Sequence, residues 1–178
     1  MSDDGDIGPL PALKSLGKLA DVRPCVIIDS REKRPFVFTR LPSVVDGLAT
    51  GDYSMRGAEH TFCVERKSLA DFVGCCMGDN RDTFERELIR ARGYRFARIL
   101  IVATDAEIDA GAWRSDITVK SVRATMASFE ARYIPIVLTP TPEAGALLIE
   151  RWAWRHAYEI CESANKLLQG NRPDAAAK

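Results

Sequence analysis

Apolar and polar residues along this chain switch between a period of two and a period of about 3.6, and the switches divide it into elements. Residues 25–29, CVIID, are a short β-branched run that suits a buried strand. The following stretch, SREKRPFVFTRLP, is basic and leaves the core. LATGDYSM, RGAEH and TFCVERK, residues 48–67, read as strand, turn and strand. Alternation in the second of these strands puts Phe62 and Val64 on one face and Cys63, Glu65 and Lys67 on the other.

Ser68 can cap a helix that begins at Leu69, with Asp71 as the fourth residue of an S-x-x-D capping pattern. Gly78, Asp79 and Asn80 interrupt it. RDTFERELIRARG, residues 81–93, predicts a second amphipathic helix with Phe84 and Leu88 on its apolar face and Gly93 as its stop. ARILIVAT, residues 97–104, is a central strand, and DAEIDAGAWRSDI reads as a loop. Thr118 caps a helix whose stripe is Val119, Val122, Met126 and Phe129. IPIVLT is another strand. Thr141, Pro142 and Glu143 then open a long helix that runs to about residue 169 and ends at Gly170. Strands alternating with helices predict an α/β fold with a mixed sheet, its antiparallel part supplied by the early hairpin. Residues 1–22 and 171–178 are expected to be disordered tails around one domain, 23–170.

Composition narrows the function classes. The chain has 178 residues, 46% apolar and 28% charged, with 25 basic and 25 acidic side chains, so a nucleic-acid surface would have to be local. No apolar run approaches the roughly 18 residues of a membrane span, and the start lacks a signal-peptide core. A cytoplasmic protein, associated with nucleoid or nuclear DNA, is the expectation. The five cysteines form no C-x-x-C pair and are expected to be reduced.

The hairpin carries the chemistry. If its loop is centred on Ala58 and Glu59, Asp52 and Glu65 oppose each other across two antiparallel strands, with Cβ atoms roughly 4.5–5.5 Å apart. Like charges so placed repel unless they share a divalent cation. Ala-Glu is a poor two-residue turn, so a longer loop with a shifted register is an alternative. Lys67 projects from the same face as Glu65. Two carboxylates and a lysine at strand ends suit phosphodiester hydrolysis with Mg²⁺ or Mn²⁺. Asp29, ending the first strand, could add a third carboxylate. Asp71 can cap its helix, serve the site, or both. Arg31 and Arg34, next to Asp29, are candidate DNA contacts, as is Arg81 at the start of its helix; Arg66 faces away from Glu65 and suits either a phosphate or an ion pair.

These residues resemble a known family. Gly51-Asp52 followed by Glu65-Arg66-Lys67-x-x-x-Asp71 matches the G-D…E-R-K-x-x-x-D signature of XPF-type structure-specific endonucleases, and VIIDSREKRPF looks like the family's opening strand. The resemblance covers roughly residues 24–165. It implies a three-layer restriction-endonuclease-like core, with Asp52 and Glu65 as metal ligands, Asp29 in or beside the metal shell, and Lys67 as the catalytic lysine. Asp71 would support the site, with Arg31, Glu32 and Arg66 around it. It further implies Mg²⁺ or Mn²⁺, cutting of branched duplex DNA in repair or recombination, and dimerisation with itself or another chain. The rival function is a catalytically silent DNA-binding scaffold, the inactive half of a nuclease heterodimer.

Overall fold

The computed structural model describes residues 22–170. The tails expected at 1–22 and 171–178 fall almost wholly outside the described residues. In chain order the elements are β1 (Val26–Asp29), β2 (Ser43–Asp46), β3 (Tyr53–Met55), β4 (Phe62–Ser68), α1 (Leu69–Gly74), α2 (Gly78–Ala91), β5 (Phe96–Val102), α3 (Asp105–Asp109), α4 (Val119–Arg132), β6 (Ile136–Thr139) and α5 (Pro142–Gly170).

The strands form one six-stranded sheet in the order β2-β1-β3-β4-β5-β6. β3 runs antiparallel to both β1 and β4, while β1–β2, β4–β5 and β5–β6 are parallel. The sheet is therefore mixed, as the pattern predicts. Parallel neighbours put the ends of β4, β5 and β6 at one edge, where ligand sites of α/β sheets form.

Period-two alternation in β4 sorts the core into two layers. Cys63 faces one side with Ile99 and Ile101, against Phe72 of α1, Phe84 and Leu88 of α2, and Phe129 of α4. Phe62 and Val64 face the other side with Tyr53 and Leu100, against Ala146, Ile149, Ala153 and Ala157 of α5. The small residues of α5 let that helix lie close to the sheet. Phe84 and Phe129 are fully buried and meet edge-on at 5.7 Å; truncating either to Ala would cost about 3–5 kcal/mol.

Four elements differ from expectation, the first being β3, which covers Tyr53–Met55 where the sequence reads a strand over 48–55. β2 goes unannounced because it is only four residues long and mostly exposed, so it shows no period. The loop expected at 105–117 opens with α3, a single turn held by a reciprocal capping box between Thr104 and Glu107. α2 begins at Gly78, whose φ of 56° makes the break after α1, three residues before the expected Arg81. All five cysteines are free thiols.

Candidate active site

The hairpin register brings the two carboxylates together. Tyr53 pairs with Val64, and the same register carries Asp52 to Glu65. The connection between β3 and β4 is six residues, 56–61, rather than a two-residue turn, closed by the N–H groups of Thr61 and Phe62 donating to the Ala58 carbonyl. Beyond Tyr53 the ladder is finished by a side chain: the Asp52 N–H donates to the Val64 carbonyl at 2.9 Å, and Asp52 Oδ2 accepts the Arg66 N–H at 2.7 Å. Gly51 makes this approach feasible. Its φ is +78°, and a Cβ there would lie 2.6 Å from Cys63 Sγ.

Glu65 is buried and Asp52 half-buried. Burial, with the Glu65 charge beside it, pushes the Asp52 carboxyl up to about 7, against the lowering pull of the Arg66 N–H. Burial also raises Glu65, opposed by Lys67. Lys67 Nζ donates to Glu65 Oε1 at 2.6 Å and lies 4.9 Å from the centre of the Phe84 ring. Burial works against its ammonium, but Glu65 more than compensates and keeps Lys67 protonated. A half-buried and a buried carboxylate facing one ammonium leave uncompensated negative charge, which a divalent cation would relieve. That donor set of hard oxygens fits Mg²⁺ or Mn²⁺. Among the described residues no three His, Cys, Asp or Glu side chains form a ready cage. The remaining ligands of such an ion would be water and phosphate.

Asp29 is placed at this site but is otherwise engaged. It is buried at the end of β1. Oδ1 accepts the Arg31 N–H at 2.9 Å and Nε at 2.7 Å, and Oδ2 accepts from Arg31 Nη2 at 3.0 Å and from the Leu48 N–H at 2.7 Å. The Arg31 fork holds this carboxyl below the usual carboxylate range. Asp29 thus aims the exposed Arg31 at the site.

A cleft of about 560 Å³ opens beside the carboxylates, lined by Arg31, Lys33, Arg34, Arg66 and Lys67 together with Glu32 and Asp71, among others. Its wall is the segment between β1 and β2, pinned from three sides. The Phe36 N–H donates to the Tyr53 hydroxyl at 2.9 Å, and the two rings stack at 5.4 Å. Gly145 of α5 makes room for that ring, since a Cβ there would lie 2.7 Å from Phe36 Cε2. Glu150, fully buried on α5, accepts the N–H groups of Thr39, Arg40 and Leu41 on one oxygen at 2.9, 2.7 and 3.0 Å. Arg66 lies over the Phe36 ring, its guanidinium carbon 5.5 Å from the centroid and its Nε buried without a partner.

Asp71 both caps and lines. Its N–H donates to Ser68 Oγ at 3.2 Å while its Oδ2 accepts from the same hydroxyl at 2.6 Å. Arg81, expected as a phosphate contact, is instead structural: it pairs with Glu85 at 3.0 Å, donates to Thr125 Oγ1 at 3.1 Å and covers the Phe129 ring at 5.1 Å. It contributes to neither cleft wall at the site.

No protein-family model matches the chain, and no curated protein does. Solved structures do. XPF from Aeropyrum pernix superposes with a TM-score of 0.58 at 24% identity, over 75% of this chain and 61% of that one. The chain has the XPF fold. XPF from Aeropyrum pernix in complex with DNA gives the same TM-score at 22% identity, over 78% of this chain and 66% of that one. The chain thus spans less than two thirds of either XPF structure. The XPF-type motif read from the sequence falls where β3, β4 and α1 meet, around the Asp52–Glu65 pair.

Two residues of this region escape sequence reasoning. Glu150 sits in the apolar stripe of α5 between Ile149 and Ala153, and its position one turn from Ala146 is the signal that it is buried. Glu87 of α2 lines the inner cavity with Asp52, Glu65 and Lys67, yet in sequence it is one charge on a polar helix face.

Proposed function

We propose that this chain is a divalent-metal-dependent DNA endonuclease that hydrolyses phosphodiester bonds in branched duplex, at flaps, forks or junctions, in repair or recombination. The observation that carries the reading is the pairing of half-buried Asp52 with buried Glu65, with Lys67 at their side, open to a basic cleft. That combination has a chemical use in phosphodiester cleavage and only a cost in a purely structural protein. XPF from Aeropyrum pernix in complex with DNA has the same fold, which supports a nucleic-acid ligand.

Asp52 and Glu65 would hold the ion. When bound, Mg²⁺ or Mn²⁺ supplies a Lewis acid for the phosphate and makes an attacking water more acidic. Lys67, kept protonated by Glu65, offsets negative charge developing on the phosphate. Arg31, fixed by Asp29, and Arg34 and Arg66 across the cleft bind flanking phosphates and set the strand's position. Arg66 Nε, buried and unpaired, gains a partner when a phosphate oxygen arrives. Asp71 keeps the start of α1, and so the end of β4, in place.

The test is cleavage of labelled duplex, single-stranded, flap and fork DNA with Mg²⁺, Mn²⁺ or EDTA, by wild type and Asp52→Asn. Cutting that needs the metal, vanishes in Asp52→Asn and concentrates on flap or fork is the expected result. Salt-sensitive binding of the same DNAs without cutting would replace this reading with the silent scaffold.

A further inference from the structure

We propose that Glu87 of α2 is a third carboxylate of the cation pocket, serving the same ion as Asp52 and Glu65; this rests on the metal-dependent reading above. α2 runs beneath the end of β4. Its Phe84 is buried under the Lys67 ammonium, at 4.9 Å from ring centre to nitrogen. Residues three apart on a helix share a face, so Glu87 stands one turn further along the side that supports Lys67, with Arg90 a turn beyond it. Glu87 and Arg90 close a cavity of about 200 Å³ whose other walls carry Asp29, Asp52, Glu65 and Lys67.

Glu87 differs from the other acids of this cavity in being uncommitted. Asp29 is taken by Arg31 and the Leu48 N–H, Asp52 by the Arg66 N–H, and Glu65 by Lys67. Glu87 is half-buried and has no hydrogen-bond or ion-pair partner among the described residues. Around this cavity the carboxylates of Asp29, Asp52, Glu65 and Glu87 outnumber the cationic groups of Arg31, Lys67 and Arg90 by one, a net negative charge that favours a cation. Asp52, Glu65 and Glu87 do not form a ready cage, so Glu87 would act on the ion from across the cavity, and Mg²⁺, which usually keeps several waters, would allow this. An ordinary solvated helix charge would have no stake in the ion.

Mn²⁺ binding to the full chain, followed by calorimetry at mildly alkaline pH without DNA, tests this. Wild type, Glu87→Gln, Glu87→Asp, Asp52→Asn and Asp82→Asn are compared, the last removing an exposed charge on α2 away from the cavity. Glu87→Gln weakens Mn²⁺ binding by roughly 10- to 100-fold, Glu87→Asp recovers part of the loss, and Asp82→Asn binds as wild type. Wild-type affinity in Glu87→Gln, beside a loss in Asp52→Asn, overturns the role of Glu87 and leaves the metal reading standing. No saturable binding by wild type, or undiminished binding by Asp52→Asn, overturns both. A fall in Asp82→Asn equal to that in Glu87→Gln reduces the effect to bulk charge and also overturns the proposal.

Discussion

Replacing Asp52 with Asn should make the metal-free protein more stable at alkaline pH. The Asp52 carboxyl stands at about 7 in the folded chain against an ordinary 3.8. A carboxyl raised on folding binds its proton more tightly in the native state, so native stability falls as pH rises through the window from about 4 to about 7. Just over three pH units at about 1.4 kcal/mol each set a ceiling of roughly 4 kcal/mol on the cost of the ionised group. Asn removes that charge and can still accept the Arg66 N–H, though a neutral acceptor gives up about 1 kcal/mol relative to a carboxylate. The expected gain above pH 7 is about 3 kcal/mol, or roughly 6–12 °C in Tm for a chain of this size. Thermal unfolding in EDTA, read as the difference between variant and wild type, cancels the titration of the carboxyls that do not interact with Asp52. That difference should grow from near zero at about pH 4 to its full value near pH 8. A difference that stays flat across this range would refute the account of two carboxylates held apart from solvent and against each other. Divalent ion should then stabilise wild type and leave Asp52→Asn unmoved, because only the former gains by binding it.

Lys67→Met removes the ammonium that ion-pairs with Glu65; denaturant midpoints should show a loss of about 3 kcal/mol at pH 8, less at pH 5 where Glu65 can be protonated instead. Equal losses at both pH values would mean that the Glu65–Lys67 pair carries no buried charge. Gly51→Ala, at φ +78° and with its Cβ 2.6 Å from Cys63 Sγ, should cost about 1–3 kcal/mol from backbone strain, plus a clash. Adding Cys63→Ala should return the clash part and leave the strain; no recovery at all would put the whole cost in the backbone. Gly145→Ala would stabilise an ordinary exposed helix by up to about 1 kcal/mol, but here it should destabilise by about 1–2 kcal/mol as Phe36 is forced from its seat. DNA binding should weaken with it, since Phe36 supports the Arg31–Arg40 segment and Arg66; a stabilised variant with unchanged DNA affinity would rule that support out.

The hairpin was legible because its two faces differ so sharply in sequence: Phe62 and Val64 cannot face water, so Glu65 and Lys67 must share the opposite face with Cys63. The register followed, and the turn read at 56–60 is one residue short of the connection 56–61, whose Ala58 is buried by contacts that no local pattern encodes. Asp29 was legible as part of the site, but its commitment to Arg31 depends on the chain curling back two residues later. Arg81 looks free in sequence as a basic residue at a helix start, whereas α4 brings Thr125 and Phe129 against it. Glu150 and Glu87 were hidden for a related reason. Each acquires its surroundings from an element distant in sequence, Glu150 from backbone N–H groups about 110 residues away and Glu87 from the end of β4. β2 and α3 are too short to show a period.

The most direct measurement of the central chemistry is the single-turnover rate of cutting a fork oligonucleotide as Mn²⁺ is titrated, for wild type and Glu65→Gln. Glu65→Gln removes the carboxylate that faces Asp52 while keeping the strand's shape. The account predicts a saturable dependence on the ion in wild type, abolished by EDTA, with a rate at least about a thousandfold lower in Glu65→Gln, of the order seen when a principal electrostatic element of an active site is removed. Cutting that survives EDTA, or a Glu65→Gln variant that cuts at the wild-type rate, would contradict it.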